Sequence, residues 1–444
     1  MRLVATAVLT VAIAGCAQVG ERPVLPTAES KAVPLSYRVI SSLTTQVGPR
    51  LAGTAREAAA RDWAVRTLKE LKFTRVTVEP FTIKGWERGE ASAEIVSAGH
   101  QALAVAALGG SIATPPRGIT APVAIVASFD DLLAAPEGAY AGKIVYIGDR
   151  MARARDGAGY GPAVRKRSRG AIEAAKRGAV AVIIRSAGTD ASRYPHTGLM
   201  RYDEKVKKIP GAALSNADAD QIERLAAMGL PVRLKLVLSS RPLAAAPSGN
   251  VVADIAGVEK PEEIVLLGAH LDSWDLGTGA IDDGAGVAIV VGAALKAAGP
   301  DLKPKRTIRV VLFGAEEPGG QGGEEYQKLH AKDRHVLATE ADFGAGRAWR
   351  FATKVADADL PFFDAIGRDL AALGLERGNN TSDGGTDVAP LGKTGVPLVG
   401  ITQDGTYYFD HHHTANDTLD KIDVEALEQN VEAYARVARA VSER

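Results

Sequence analysis

The sequence predicts an α/β fold: a mostly parallel mixed sheet with helices on both faces, interrupted by an inserted unit. Three observations carry this. After residue 249 apolar strand-like runs alternate with helical periodicity, the pattern of a sheet covered on both sides. Several of these runs end in acidic or histidine residues set among glycines, as in "VLLGAHLDSWDLGTGAIDDGAG" (265–286). Between two crossings rich in Gly, Pro and Ser, "GGSIATPPRG" (109–118) and "SSRPLAAAPSG" (239–249), lies a stretch of different texture. At 444 residues the chain is too long for one ordinary core and suits a domain with an insertion.

Taken in order, Arg2 and the apolar run Leu3–Ala14 read as an export signal, too short to span a bilayer. The run closes on Ile13-Ala14-Gly15-Cys16, a pattern similar to the lipobox of bacterial lipoproteins, and Cys16 is the only cysteine. The expectation is a lipid anchor at Cys16 holding an exported protein on an envelope membrane surface, either periplasmic or outer-membrane, with residues 17–34 as a tether. Ser36–Val47 and Thr54–Leu71 have helical periodicity, and Arg75–Phe81 alternates as a strand. Residues 35–118 and 246–444 are assigned to the main domain and 119–245 to the insertion. In the insertion "APVAIVAS", "GKIVYIGD" and "AVAVIIRS" are β-rich runs, with a helix over Ser168–Arg177. His196 stands alone in a "YPHTG" loop and reads as a surface residue. The main domain resumes with a strand at Glu263–Ala269, a helix at Ala285–Ala298 and a strand at Thr307–Gly314. A helix from Gly323, a strand near Val336, a helix at Pro361–Leu373, a strand at Val396–Ile401 and a helix at Val424–Val441 follow.

Acidic and basic residues balance at 53 each, and no basic stripe with interleaved aromatics occurs, so nucleic acid is not an expected partner. Ligands of open α/β sheets bind beyond the carboxyl ends of the strands. Four clusters fall there. His270 ends a strand, Asp272 is placed to accept its second ring N–H, and Asp282-Asp283 opens the next helix. Glu316-Glu317 follows a buried strand. Glu340 and Asp342 end a third. "YFDHHHTANDTLDKID" (408–423) holds three of the eight histidines, with Asp417 or Asp420 also suited to capping a helix. Any one carboxylate could be a cap or an ordinary strand end. Together, histidines and several carboxylates suit a pair of divalent ions bridged by one carboxylate.

These motifs, with "GGTD" (384–387), resemble those of the M28 family of zinc peptidases and, within it, the carboxypeptidase Q group. The resemblance implies a zinc-exopeptidase fold with a protease-associated domain in the insertion, two Zn2+ per chain, a short peptide substrate and a homodimer. It also implies roles. His270, Asp282, Glu317, Asp342 and His413 would be ligands, with Asp282 bridging. Asp272 would support His270 from behind, and Glu316 would be the general base. His413 is chosen as the histidine four residues before Asp417, and His412 competes if the loop is shifted. Asp387 and Tyr408 are candidate substrate-binding residues, and Tyr407 or Tyr408 a candidate oxyanion donor. Two other classes compete with a di-zinc exopeptidase: a catalytically inactive binding protein of peptidase fold, and a one-zinc acyltransferase similar to glutaminyl cyclase.

Overall fold

The computed structural model describes residues 33–97 and 99–444. The expected signal, Cys16 and nearly all of the tether lie outside the described residues. Among those described, no helix is long and apolar enough to cross a membrane.

An eight-stranded sheet carries the main body. Its order is Arg75–Ile83, Ala246–Ile255, Arg306–Phe313, Lys260–His270, Arg334–Glu340, Leu398–Gln403, Ala348–Lys354, Glu376–Arg377. The four strands from Arg306–Phe313 to Leu398–Gln403 run parallel. Antiparallel pairings flank them on both sides, so the sheet is mixed, and less parallel than the sequence suggested. The reading lacked three strands of this sheet, Ala246–Ile255, Ala348–Lys354 and the two-residue Glu376–Arg377; of these, Ala348–Lys354 keeps Trp349 and Arg350 half-buried and Lys354 exposed. A half-wet strand near a sheet edge carries a weak apolar signal.

The central strands are legible because both of their faces are dry. Val265, Leu267 and Ala269 join Val251, Ala253, Ile308, Val310 and Leu312 in one core, beneath helices Leu35–Gln46, Ala55–Glu70, Ala285–Ala298 and Val424–Ser442. Ile264 and Leu266 point the other way, with Val252, Val311 and Phe313, onto Tyr326, Val388 and Leu391. Alternation of side chains along each strand thus supplies two cores from one apolar run. The charges in these strands are compensated: Arg309 meets Asp254 at 2.7 Å, and Arg306 pairs with Glu263.

A second eight-stranded sheet is ordered Gln101–Leu103, Ala91–Ile95, Arg233–Leu238, Ile119–Val126, Ile144–Ile147, Ala181–Arg185, Gly211–Leu214, Val105–Ala107. The boundary expected at residues 118–119 therefore falls inside this sheet. The chain leaves the main body nearer the two-residue strand Trp86–Glu87, which pairs with Arg241–Pro242 on the way back. The three early strands are short and rich in Ala, and only pairing with distant partners identifies them. "GGSIATPPRG" is internal: Gly109 bridges Leu199, and any Cβ on Gly109 would strike the Trp274 ring of the first unit.

Candidate metal centre and active-site pocket

His270 is the last residue of its strand. The loop that follows is clamped by Arg50, wholly buried, whose guanidinium donates to the carbonyls of Leu271 (2.5 Å), Thr278 (2.8 Å) and Gly279 (2.9 Å). Asp283 accepts the N–H of His270 (3.1 Å) and of Gly286 (3.0 Å), tying strand end to helix start. A Cβ at Gly286 would collide with that carboxylate and with the Ala341 carbonyl, which explains the small residue. Asp417 accepts the N–H of Ile281 (2.6 Å) and of Asp282 (3.2 Å). It holds the Asp282 turn, and the last helix is capped by Asp423 rather than by the expected Asp417 or Asp420.

So fixed, Asp282 stands at the centre of the site. Its Oδ1 lies 3.0 Å from His270 Nε2, and Asp342 Oδ1 is 3.4 Å from the same nitrogen. Its Oδ2 is 3.2 Å from His413 Nε2 and 3.3 Å from His412 Nε2. Glu317 Oε2 lies 3.1 Å from His413 Nε2, and Glu317 Oε1 accepts the Trp274 N–H. Two groups of donor atoms suited to an ion result, His270–Asp282–Asp342 and Asp282–His412–His413, and they share Asp282. Asp282 Oδ2 is buried with no hydrogen bond. A buried carboxylate oxygen without a donor, ringed by imidazole nitrogens and more carboxylates, fits a divalent cation.

The electrostatics agree. Burial opposes the Asp282 charge, but the hydrogen bond to His270 and the nearby His413 and His412 imidazoles outweigh it and hold its pKa well below the usual range. Burial also opposes charge on the two histidines, yet Asp342 beside His270 and Glu317 beside His413 raise both well above ordinary imidazole. Glu316 is pushed well up by burial, with Asp342 and Glu317 adding to it against His270.

Asp272 sits differently from its expected place. Its backbone carbonyl, not its carboxylate, faces His270 Nδ1 (3.0 Å against 3.9 Å). The carboxylate instead accepts the N–H groups of Glu316 (3.0 Å) and Glu317 (3.2 Å), so it aims the glutamate pair. The chain turns there through Ala315, whose φ of 58° presents those two amides. His412 and His413 stack with ring centroids 3.5 Å apart. His413 reaches both Asp282 and Glu317 and sets its Nδ1 against the Thr197 carbonyl (3.2 Å), while His412 Nδ1 has no partner. His411 turns away toward Asn416.

Asp387, expected near substrate, is 1% exposed and accepts the Gly323 N–H, while its own N–H is taken by Glu340. Its neighbour Thr386 lines the pocket in its place. Tyr408 does line the pocket, whereas Tyr407 lies outside it, exposed, beneath Arg153. His196 is no surface residue: it is 1% exposed.

The pocket over Asp282, Glu316, Glu317 and Asp342 holds about 360 Å³. Its opposite wall comes from the second unit: Tyr160, Arg167, Ser168, Leu199 and Arg201. Arg167 is 9% exposed, donates to the Tyr160 hydroxyl (2.9 Å), and keeps its Nε without a partner. Arg201 is exposed at the mouth. Sequence reasoning missed both. For Arg167 the run "RKRSRG" (165–170), dense in cations within a neutral chain, was the available signal; Arg201 had none. A larger cavity of about 610 Å³ lies beyond Phe343 and Tyr408 and touches neither Asp282 nor Glu316.

Residues 250–438 match the model of peptidase family M28. The chain is 35% identical to carboxypeptidase Q of Bos taurus over 94% of its own length and 87% of that protein. Its fold matches the crystal structure of a peptidase M28 precursor from Shewanella amazonensis with a TM-score of 0.91 at 48% identity, covering 94% of this chain and 95% of that one. A zinc aminopeptidase from Bacillus subtilis shares the fold with a TM-score of 0.65 at 24% identity, over 92% and 94% of the two chains.

Proposed function

The chain belongs to peptidase family M28, and from that premise we propose that it is a di-zinc exopeptidase hydrolysing dipeptides and short peptides. The observation that carries this reading is the pair of buried donor groups meeting at Asp282, with Glu316 beside them in one pocket. His270 and Asp342 would hold one ion, Glu317 and His413 the other, and Asp282 would be shared. A zinc ion held there would supply Lewis acidity toward the scissile carbonyl and the attacking water. The residues do the rest. The Glu316 carboxylate, aimed through its backbone by Asp272, takes a proton from that water and returns it to the departing amine nitrogen. Tyr408, on the pocket wall, is the candidate donor to the developing oxyanion.

Arg167 and Arg201 favour substrates with a free carboxylate within reach of the scissile bond, as in a dipeptide. The same reading takes the second unit as a protease-associated domain and Cys16 as the lipidated anchor of an exported protein. Mass analysis of the N-terminal fragment tests the anchor, and sedimentation of the soluble form tests the homodimer.

Elemental analysis with dipeptide hydrolysis, with and without chelator, tests the function. About two zinc per chain and chelator-sensitive cleavage are expected. One zinc without cleavage would move the protein to the acyltransferase reading. No metal in folded protein offered excess zinc would sink the enzyme mechanism and leave the binding-protein reading.

A further inference from the structure

The loop carrying His412 and His413 belongs to the main body, yet the second unit holds it. Thr189 donates its N–H to the Phe409 carbonyl (3.0 Å) and its hydroxyl to Asp410 (2.7 Å). Arg153 reaches Asp410 at 2.7 Å and the Thr406 carbonyl at 2.5 Å. The hold extends to the histidines themselves. Thr197 N–H donates to the His413 carbonyl (3.0 Å), and the Thr197 carbonyl faces His413 Nδ1. His196 Nδ1 donates to the His412 carbonyl at 2.7 Å, with Asp190 Oδ1 behind its other nitrogen at 2.8 Å. His196 is itself fixed, its own N–H bonded to the Ser186 hydroxyl (2.8 Å). His413 has φ of 63°, in the left-handed region that a residue with a Cβ occupies only at a cost. Such a conformation persists only where its surroundings over-determine it.

We infer that His196, backed by Asp190, is a positioning residue for the metal centre: from the second unit it fixes the His412–His413 backbone and so the direction of His413 Nε2. The inference rests on the zinc reading of the site and adds that one of the two donor groups is incomplete without the second unit. The other group, His270 with Asp342, has no such contact with it. The second unit then serves the metal as well as the pocket wall.

The test is zinc affinity by competition with a chromogenic chelator, in the full soluble protein and three variants. His196→Ala should weaken one of the two zinc equivalents by roughly 10- to 100-fold, the usual effect of losing a partner behind a ligand, and leave the other unchanged. His196→Asn places an amide N–H near the position of Nδ1 and should recover most of that loss. Gly188→Ala acts from behind, because its Cβ would press on the His196 ring, and should mimic His196→Ala. It decides the question if His196→Ala fails to fold. Unchanged affinity in both His196→Ala and Gly188→Ala overturns the inference. So does an equal loss at both zinc equivalents, or an Asn variant no better than the Ala one. A wild type that binds no zinc overturns the zinc reading and this inference together. A wild type with two zinc and unaffected variants overturns the inference alone.

Discussion

The two walls of the pocket are built on opposite principles. One is acidic and made by strand ends of a single sheet: His270 is the last residue of its strand, and Glu316, Glu317 and Asp342 follow theirs within two to four residues, all on parallel strands whose carboxyl-end halves are buried. The other is basic and made by Tyr160, Arg167, Ser168 and Arg201 of the second unit. The first wall is held by strands packed on both faces, and it gathers carboxylates around buried histidines. The second carries cations that no side chain in the pocket neutralises, so it is free to meet an anionic group on a ligand. On the proposed reading, chemistry would fall to the sheet and recognition to the added unit.

That division can be broken at its strongest point first. Glu316→Gln keeps every proposed ligand and should retain metal while turnover falls by about 10²- to 10⁴-fold, read from kcat beside elemental analysis. A Gln variant of near-normal kcat would take the proton transfer away from the sheet wall. Next, Arg50→Ala should destabilise the protein by at least about 2 kcal/mol in urea unfolding, because three carbonyls of the His270 loop lose their donor in a buried setting. Stability near that of the wild type would mean the loop holds without its clamp. On the other wall, Arg167→Ala combined with Arg201→Ala should lower kcat/KM for free dipeptides by roughly 10- to 100-fold, the scale of lost charge-assisted hydrogen bonds. C-terminally amidated dipeptides should be much less affected, and equal losses for both would contradict the recognition role.

The smallest effect lies on the far face of the sheet. Burial opposes charge on His330, but hydrogen bonds to Glu79 and Asp333 outweigh it and raise its pKa. A group whose folded pKa is raised contributes stability below its unfolded pKa and loses it as pH rises through the folded value. Wild-type stability should therefore decline from about pH 6.5 upward relative to His330→Gln, by comparison of unfolding midpoints across pH. A parallel pH profile for the two proteins would show that this network is neutral.

How much of this was legible follows from where signals are local. The helices Leu35–Gln46 and Ala55–Glu70, the helix at 285–298 and the strands at 260–270 and 306–313 were readable, because burial on a helix stripe or on both strand faces writes itself into periodicity. The gathering of His270, Asp282, Glu316, Glu317 and Asp342 at the strand ends was readable too, as motifs within a few residues of those strands. Asp272 was placed correctly but given the wrong contact, since spacing alone does not tell whether a side chain or its own carbonyl meets His270. His196 was misread because a lone histidine in a loop carries no sign of what the loop will cover.

The sequence by itself determined the α/β class, the strand ends that hold the donors, and the residue types able to bind a divalent ion, because each of these is set by neighbours in the chain. Only the tertiary structure decided that the second sheet begins near residue 91, that Asp387 sits behind the pocket, that His413 is pinned by Thr197 and His196, and that Arg167 and Arg201 face Glu316. Those contacts join segments more than a hundred residues apart or turn on which way a side chain packs, and neither is recorded in local periodicity.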